Sequence, residues 1–269
     1  MEATSYHLEW NPVLADPTNR RQNKPRTLGK TMVIDKGLGL NAFEDLLETS
    51  GTHLDMIKIG FGTSPLYPQK LLQRKIEMAK AHQICIYPGG TFLEVAVMQS
   101  AIPSFFDMVS NLGFSGIEVS DGTIQMERKL RNELIRTGIQ EGLNVYTEYG
   151  KKGWGCSIEI DELIETATLD VEFGAELVTI EARESGLGVG IFDENGKCKD
   201  EELEKVLSAI KGQHTLLWEA PQKNQQVHLL QMLGPNIHLG NIASQDIMSL
   251  EALRRGLRSD TLFFGDLRK

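Results

Sequence analysis

The chain has 269 residues, of which 41% are hydrophobic and 24% charged, and its formal net charge is −9. Its basic residues fall singly rather than in a patch, which argues against nucleic-acid binding, and no apolar run approaches the ~20 residues that span a bilayer. Its three cysteines, Cys85, Cys156 and Cys198, are widely spaced with no CxxC pair, so they suggest neither a disulfide framework nor a zinc site and fit a reducing cytoplasm.

Residues 1–26 are polar, contain Pro12, Pro17 and Pro25, and lack the apolar core of a signal peptide. They read as an N-terminal arm, exposed or poorly ordered, ahead of a single domain over residues 27–269. From there short apolar strands alternate with helical patterns. Strands are expected at 31–35, 56–59, 84–87, 116–120, 144–148, 176–180, 216–218 and 237–239. Helices are expected at 40–49, 68–82, 92–97, 103–112, 127–141, 157–173, 201–211, 225–233 and 249–257. Pro88-Gly89-Gly90-Thr91 reads as a stop after the third strand, and Gly113 as a C-cap. A strand recurs every ~30 residues, the length of a βα unit. Strands this short and rich in Ile, Val and Leu suit a parallel sheet covered on both faces. The turn GxGxxG that would favour an open doubly wound sheet is missing after the first strand. The fold class expected is α/β, a (β/α)8 TIM barrel.

Most of the strands end in polar residues, and the C-terminal rim is where such barrels do chemistry. Lys58 lies inside an apolar strand, where a bare charge is costly on either face, so it is read as a rim-facing cation for an anionic ligand. Glu118 and Asp121 flank the fourth strand end, while Glu148, Glu181 and Glu219 end the next three. Each could cap a helix. Together they would repel one another without a cation, and a hard ion such as Mg²⁺ suits them. Lys151 and Lys152 follow Gly150 directly after Glu148, either as a solvated pair or as proton donors to a substrate. Arg183 suits phosphate or carboxylate capture, or a salt bridge to Glu181 or Glu219. The loops Gly60 to Ser64, Gly186 to Gly190 and Gly240-Asn241 could close backbone N–H groups on phosphate oxygens. None of the six histidines forms an HxH or HExxH pattern, and no GxSxG turn is present.

At these residues the chain resembles the phosphosulfolactate synthase family. The matching strings are Asp35-Lys36-Gly37, Lys58-Ile59-Gly60-Phe61-Gly62-Thr63-Ser64, Tyr87-Pro88-Gly89-Gly90-Thr91 and Ile117-Glu118-Val119-Ser120-Asp121-Gly122. They continue with Thr147-Glu148-Tyr149-Gly150-Lys151-Lys152, Ile180-Glu181-Ala182-Arg183-Glu184-Ser185-Gly186 and Trp218-Glu219-Ala220-Pro221-Gln222-Lys223. The similarity covers about residues 25–263. Phe61 stands where the family pattern expects Trp, and Gly240 where it expects Ala, a change expected to loosen the phosphate loop slightly.

The resemblance implies a Mg²⁺-dependent barrel lyase that adds sulfite to phosphoenolpyruvate, giving (2R)-phospho-3-sulfolactate. It implies Lys152 as the acid with Lys151 second, joined by Lys58, Arg183 and Glu219 as catalytic residues. Lys36, Gly62, Thr63, Ser64, Gly240 and Asn241 are expected to bind substrate, and Glu118, Asp121, Glu148 and Glu181 the metal. Both substrates are small anions, so the local field at the rim is expected to be positive despite the net charge. A homo-oligomer is expected by analogy. The alternatives are another barrel lyase or Schiff-base aldolase on a small phosphorylated acid, and a non-catalytic stress-associated relative. Such relatives lack the paired lysines that this chain keeps.

Overall fold

The computed structural model describes residues 10–151, 158–210 and 213–264. Eight parallel strands form a nearly closed barrel in the order β3-β2-β1-β8-β7-β6-β5-β4, and helices alternate with them. The strands are β1 (Thr31–Asp35), β2 (Met56–Ile59), β3 (Cys85–Pro88), β4 (Gly116–Val119), β5 (Asn144–Tyr149), β6 (Leu177–Ile180), β7 (Leu216–Glu219) and β8 (His238–Ala243). The main helices are α1 (Pro12–Ala15), α2 (Leu40–Ser50), α3 (Gln69–Ala81), α4 (Gly90–Met98), α5 (Ile102–Leu112), α6 (Arg128–Gln140), α7 (Ile160–Glu172), α8 (Asp200–Ala209), α9 (Lys223–Leu233) and α10 (Ile247–Arg254). At the seam between β3 and β4, Ser115 N donates to Ile86 O at 3.1 Å and Ile86 N donates to Ser115 Oγ at 2.9 Å. A side chain thus supplies an acceptor where the barrel closes. No helix among the described residues is long and apolar enough to cross a membrane.

Two apolar layers follow from strand alternation. Val33, Ile57, Ile86, Ile117, Val145, Val178 and Leu239 belong to the larger core, which includes side chains of the helix ring. Met32, Met56, Tyr87, Tyr146, Leu177 and Leu217 fill a second cluster. Moving two residues along from that cluster reaches Lys58, Glu148 and Glu219 on the same face. Apolar residues therefore plug the barrel, and charged ones lie at its C-terminal end.

Two expected boundaries differ. The stop expected after the third strand holds, with β3 ending at Pro88, but α4 begins at Gly90 rather than Phe92, because the Glu118 carboxylate accepts the Gly90 N–H at 2.7 Å and so caps the helix start. Strand β8 runs on past Leu239, since Ala220 N donates to Gly240 O at 3.0 Å and Val33 and Ile34 of β1 pair with Ile242 and Ala243 beyond a register shift. Gly240 and Asn241 are therefore strand residues rather than a loop.

Residues 20–30, most of them in the stretch expected as an arm, are fastened to the barrel domain. Arg21 Nε meets Glu251 at 3.0 Å, Arg26 Nε meets Asp55 at 3.1 Å, and Lys24 Nζ donates to three backbone carbonyls, those of Gly51, Leu54 and His82. Lys30 N–H donates to Nδ1 of buried His238, whose Nε2 lies 2.9 Å from His214 O. Burial, aided by the charges of Arg254 and Lys30, pushes the His238 imidazole down to about 4. The folded state therefore resists a proton that the unfolded chain takes up near pH 6.5. The stability this neutral ring contributes is present above that pH and is lost as pH falls toward 4. Wild type is expected to lose on the order of 3 kcal/mol relative to His238→Gln across that window. Urea midpoints of the two proteins would check it, and parallel pH profiles would contradict it.

Candidate active site

Lys58 points into the barrel from β2 and is only 6% exposed. Its Nζ lies 2.9 Å from Glu118 Oε2, 2.9 Å from Glu148 Oε2 and 3.6 Å from Glu219 Oε1. Burial alone would lower this lysine, but the three carboxylates overcome it and hold the ammonium well above the usual lysine range. Lys58 is thus the counter-ion of an acidic cluster, and it also lines the cavity in which an anionic ligand was expected to meet it. Burial, together with the Glu148 charge, pushes Glu118 up to about 7 against the pull of Lys58.

A second row of contacts lies behind the first. Ser120 Oγ is 2.9 Å from both Glu94 Oε1 and Glu148 Oε1, and it accepts the Gly122 N–H at 3.2 Å. One hydroxyl proton can satisfy only one of the two carboxylates at a time. Glu94 is 1% exposed on α4, whose sequence is otherwise Gly, Thr and apolar residues. Glu94 escaped the sequence reading, although a lone acid in so apolar a helix was a usable sign. Arg131 of α6 was also missed, hidden in a helix of many charges. It is clamped by Asp170 at 2.7 Å, and its Nη2 donates to Glu148 O at 3.0 Å, which fixes the backbone that carries Glu148.

Toward solvent the cluster opens into a cavity of about 160 Å³ lined by Lys58, Glu148, Glu181, Arg183, Glu184, Glu219 and Asn241, with Phe61, Gly89, Gly90 and Thr91 among its walls. Glu219 Oε2 accepts the Ala182 N–H at 3.1 Å, and Asn241 Nδ2 donates to Arg183 O at 2.8 Å. Glu181 Oε1 accepts the Arg183 N–H at 2.5 Å. These bonds fix the backbone from which the exposed Arg183 guanidinium extends at the mouth. Three residues on this cavity, Phe61, Arg183 and Asn241, are non-glycine residues in the left-handed region, with φ of 56°, 63° and 57°. Such strain persists only where neighbours over-determine the backbone, and it concentrates at functional sites.

The structure thus brings together Lys58, Glu118, Glu148, Glu181, Arg183, Glu219 and Asn241 of the residues expected from sequence. It places others elsewhere. Asp121 is separated from the remaining expected metal ligands, its carboxylate 3.3 Å from Arg131 Nη1 and 3.2 Å from Lys151 Nζ. Asp121 and Lys151 line a neighbouring cavity of about 520 Å³ with residues of α6 and α7. Lys152 lies outside the described residues. Lys36 pairs with Glu184 at 2.6 Å, both side chains well exposed. Gly62, Thr63 and Ser64 form the turn beyond Phe61, where Thr63 Oγ1 bonds Gly60 O at 2.6 Å and Ser64 starts a short 3₁₀ turn. Gly240 is not at a phosphate loop. A Cβ there would sit 2.2 Å from Leu217 Cδ2 and 2.9 Å from Met32 Cε, so glycine admits tight packing in the barrel interior instead.

Four carboxylates face two cations along the cavity wall, so the described residues do not make the positive field expected for two anionic substrates. Two buried carboxylate oxygens, Glu118 Oε1 and Glu94 Oε2, have no hydrogen-bond partner. An excess of acid with orphaned oxygens is what a hard divalent cation fits. Among the described residues, the one group of three metal-type side chains whose ligand atoms all lie within 4.8 Å of one another is Cys198, Asp200 and His228, which shares no residue with this cavity.

Residues 19–260 match the family described as (2R)-phospho-3-sulfolactate synthase (ComA). A phosphosulfolactate synthase of Methanothermobacter thermautotrophicus is 39% identical over 247 residues, covering 91% of this chain and 95% of the relative. Those of Methanocaldococcus jannaschii and Bacillus subtilis are 40% and 38% identical, covering 87% and 90% of this chain and 93% and 96% of their own lengths. Among solved structures, 3-hexulose-6-phosphate synthase from Salmonella typhimurium superposes with a TM-score of 0.53 at 13% identity, covering 84% of this chain and 99% of that one, a likeness of fold alone.

Proposed function

The chain belongs to the (2R)-phospho-3-sulfolactate synthase family and is a lyase, and from that membership we propose that it joins sulfite to phosphoenolpyruvate with Mg²⁺ as its cofactor. The observation that carries the finer reading is the surplus of carboxylate at the C-terminal barrel mouth, with Glu118 Oε1 buried and unpartnered. Glu118, Glu148 and Glu181 are the residues that would hold the ion. When bound, Mg²⁺ supplies Lewis-acid stabilisation of the charge that develops on the substrate carboxylate.

The chain's own groups do the rest. The sulfur lone pair of sulfite forms a bond to the CH₂ carbon of phosphoenolpyruvate while the C=C electron pair moves toward the carboxylate. The carbon bearing phosphate then takes a proton, which we assign to Lys152, with Lys151 second. Arg183 at the mouth, with Lys36 nearby through Glu184, meets the anionic ends of the substrates. Glu219 and Asn241 hold the Arg183 backbone in place, and Lys58 holds Glu118 and Glu148 at a fixed separation. A Schiff-base aldolase would need a neutral amine at such a strand-end lysine, and Lys58 is held protonated.

Purified protein mixed with phosphoenolpyruvate, sulfite and Mg²⁺ is expected to consume the enol absorbance and yield one sulfonated phosphate ester by mass. No consumption, with or without metal, would overturn the proposal. In the same assay Lys152→Ala is expected to fall by roughly a thousandfold with unchanged far-UV circular dichroism. Normal turnover in Lys152→Ala beside a dead Lys151→Ala would exchange their roles.

A further inference from the structure

After Arg183 and Glu184 the chain leaves the barrel mouth in a long glycine-rich loop that turns back on itself. Phe192 and Cys198 pair as an antiparallel bridge. Asp193 Oδ1 closes the turn by accepting the N–H groups of Asn195 and Lys197 at 2.8 and 2.9 Å. Cys198, 7% exposed, is therefore delivered from a fixed strand-like position rather than a free loop. Two residues on, Asp200 opens α8. His228 comes from α9, and its Nε2 lies 2.6 Å from Asp200 Oδ1. One sulfur, one carboxylate oxygen and one imidazole nitrogen thus lie within 4.8 Å of one another. Cysteine spacing gave no hint of this, because the histidine is separated in sequence and arrives from another helix.

We propose that Cys198, Asp200 and His228 form a structural binding site for a borderline-soft divalent ion of the Zn²⁺ class, which straps the loop after β6 to α9. The donor set decides the class of ion. A thiolate with an imidazole suits Zn²⁺, whereas Mg²⁺ takes oxygen ligands. Zn–S near ~2.3 Å and Zn–N or Zn–O near ~2.0 Å place tetrahedral ligand atoms roughly 3–4 Å apart, within reach of the observed spread by side-chain rotation. The fourth position falls to water or to Glu202, whose Oε2 makes no hydrogen bond and only a loose ion pair with Lys199 at 3.6 Å, and whose charge reaches the Cys198 thiol. Binding replaces the Asp200–His228 hydrogen bond and releases the thiol proton, so one Zn²⁺ and one neutral thiol give a zinc thiolate and one proton.

The supports are already in register for this. Gln222 and Gln225 make a capping box at the start of α9, and Gln225 Nε2 donates to Gly186 O at 2.7 Å and Gly196 O at 3.2 Å. Side-chain amides thus tie the same loop to the same helix at one end, and the ion ties it at the other. Because the loop begins at Arg183, the strap steadies the cavity mouth without touching it.

The test is a titration of the chelator-treated full chain with Co²⁺ alone, then with Zn²⁺ against a chromophoric chelator. Wild type is expected to show a thiolate-to-cobalt charge-transfer band in the near ultraviolet, one Zn²⁺ per chain and a raised melting temperature. Cys198→Ser should lose the band, and both Cys198→Ser and His228→Gln should bind Zn²⁺ at least roughly tenfold more weakly. Both variants should keep basal lyase turnover. No band in wild type, or a band that survives in Cys198→Ser and so belongs to another cysteine, would overturn the proposal.

Discussion

Lys58→Met is expected to lose about 3–5 kcal/mol of stability above pH 7 and roughly a thousandfold or more in turnover. The ammonium is the shared partner of Glu118, Glu148 and Glu219 at 2.9, 2.9 and 3.6 Å. Methionine keeps the volume and removes the charge, which leaves three buried carboxylates facing one another. Glu118, already raised to about 7 with Lys58 present, rises further once that opposing charge is gone. A carboxyl group with a raised folded pKa favours the native state at low pH, and that contribution is lost as pH rises from about 4.5 through the folded pKa. The variant should therefore be closest to wild type near pH 5 and fall away toward pH 8. Denaturation midpoints across that range, with turnover at each pH where it stays folded, would decide the matter. A variant as stable as wild type at pH 8 would mean that the cluster is not the buried ion network described.

The second large effect is expected at Glu148. In Glu148→Gln the side chain keeps its shape and can still meet Ser120 and Lys58, while Lys58 retains Glu118 and Glu219. The fold should survive with a cost of about 1–2 kcal/mol. Turnover should fall by roughly a hundredfold to a thousandfold, because a cavity-facing carboxylate is lost where charge must be balanced. Mg²⁺ should be needed at higher concentration. An independent sign comes from Glu118, since the Glu148 charge is one of the causes that raise it. Removing that charge lowers Glu118, so the variant should lose less stability than wild type as pH climbs from about 4.5 to 7. Wild-type turnover together with an unchanged pH profile would remove Glu148 from the site.

The two variants also separate two roles. Lys58 acts mainly by neutralising and spacing the acids, so its loss is felt in the whole fold. Glu148 touches both that network and the open cavity, so its loss is felt chiefly in chemistry. Arg131 sits between these cases. It holds the Glu148 carbonyl and Asp170 without lining the cavity of Lys58, and so positions Glu148 from behind.

The alternation of Met56 with Lys58, of Tyr146 with Glu148 and of Leu217 with Glu219 follows from the period of an extended strand, and it assigns those residues to one face before any coordinates. The recurrence of βα units likewise fixes eight parallel strands and the rim on which their polar ends gather. Sequence could not rank those ends, because each meaning depends on what the next strand delivers. Lys58 becomes a counter-ion only when β4, β5 and β7 bring glutamates to it. Asp121 is drawn away by Arg131 and Lys151, and Gly240 is claimed by the packing of Leu217 and Met32. Glu94 joins the site from a helix, through the Ser120 hydroxyl just past the end of β4. Side-chain direction along a strand is a local property, legible one residue at a time. The choice of charge partner is a matter of a few ångströms between segments distant in sequence, and only the closed barrel sets those distances.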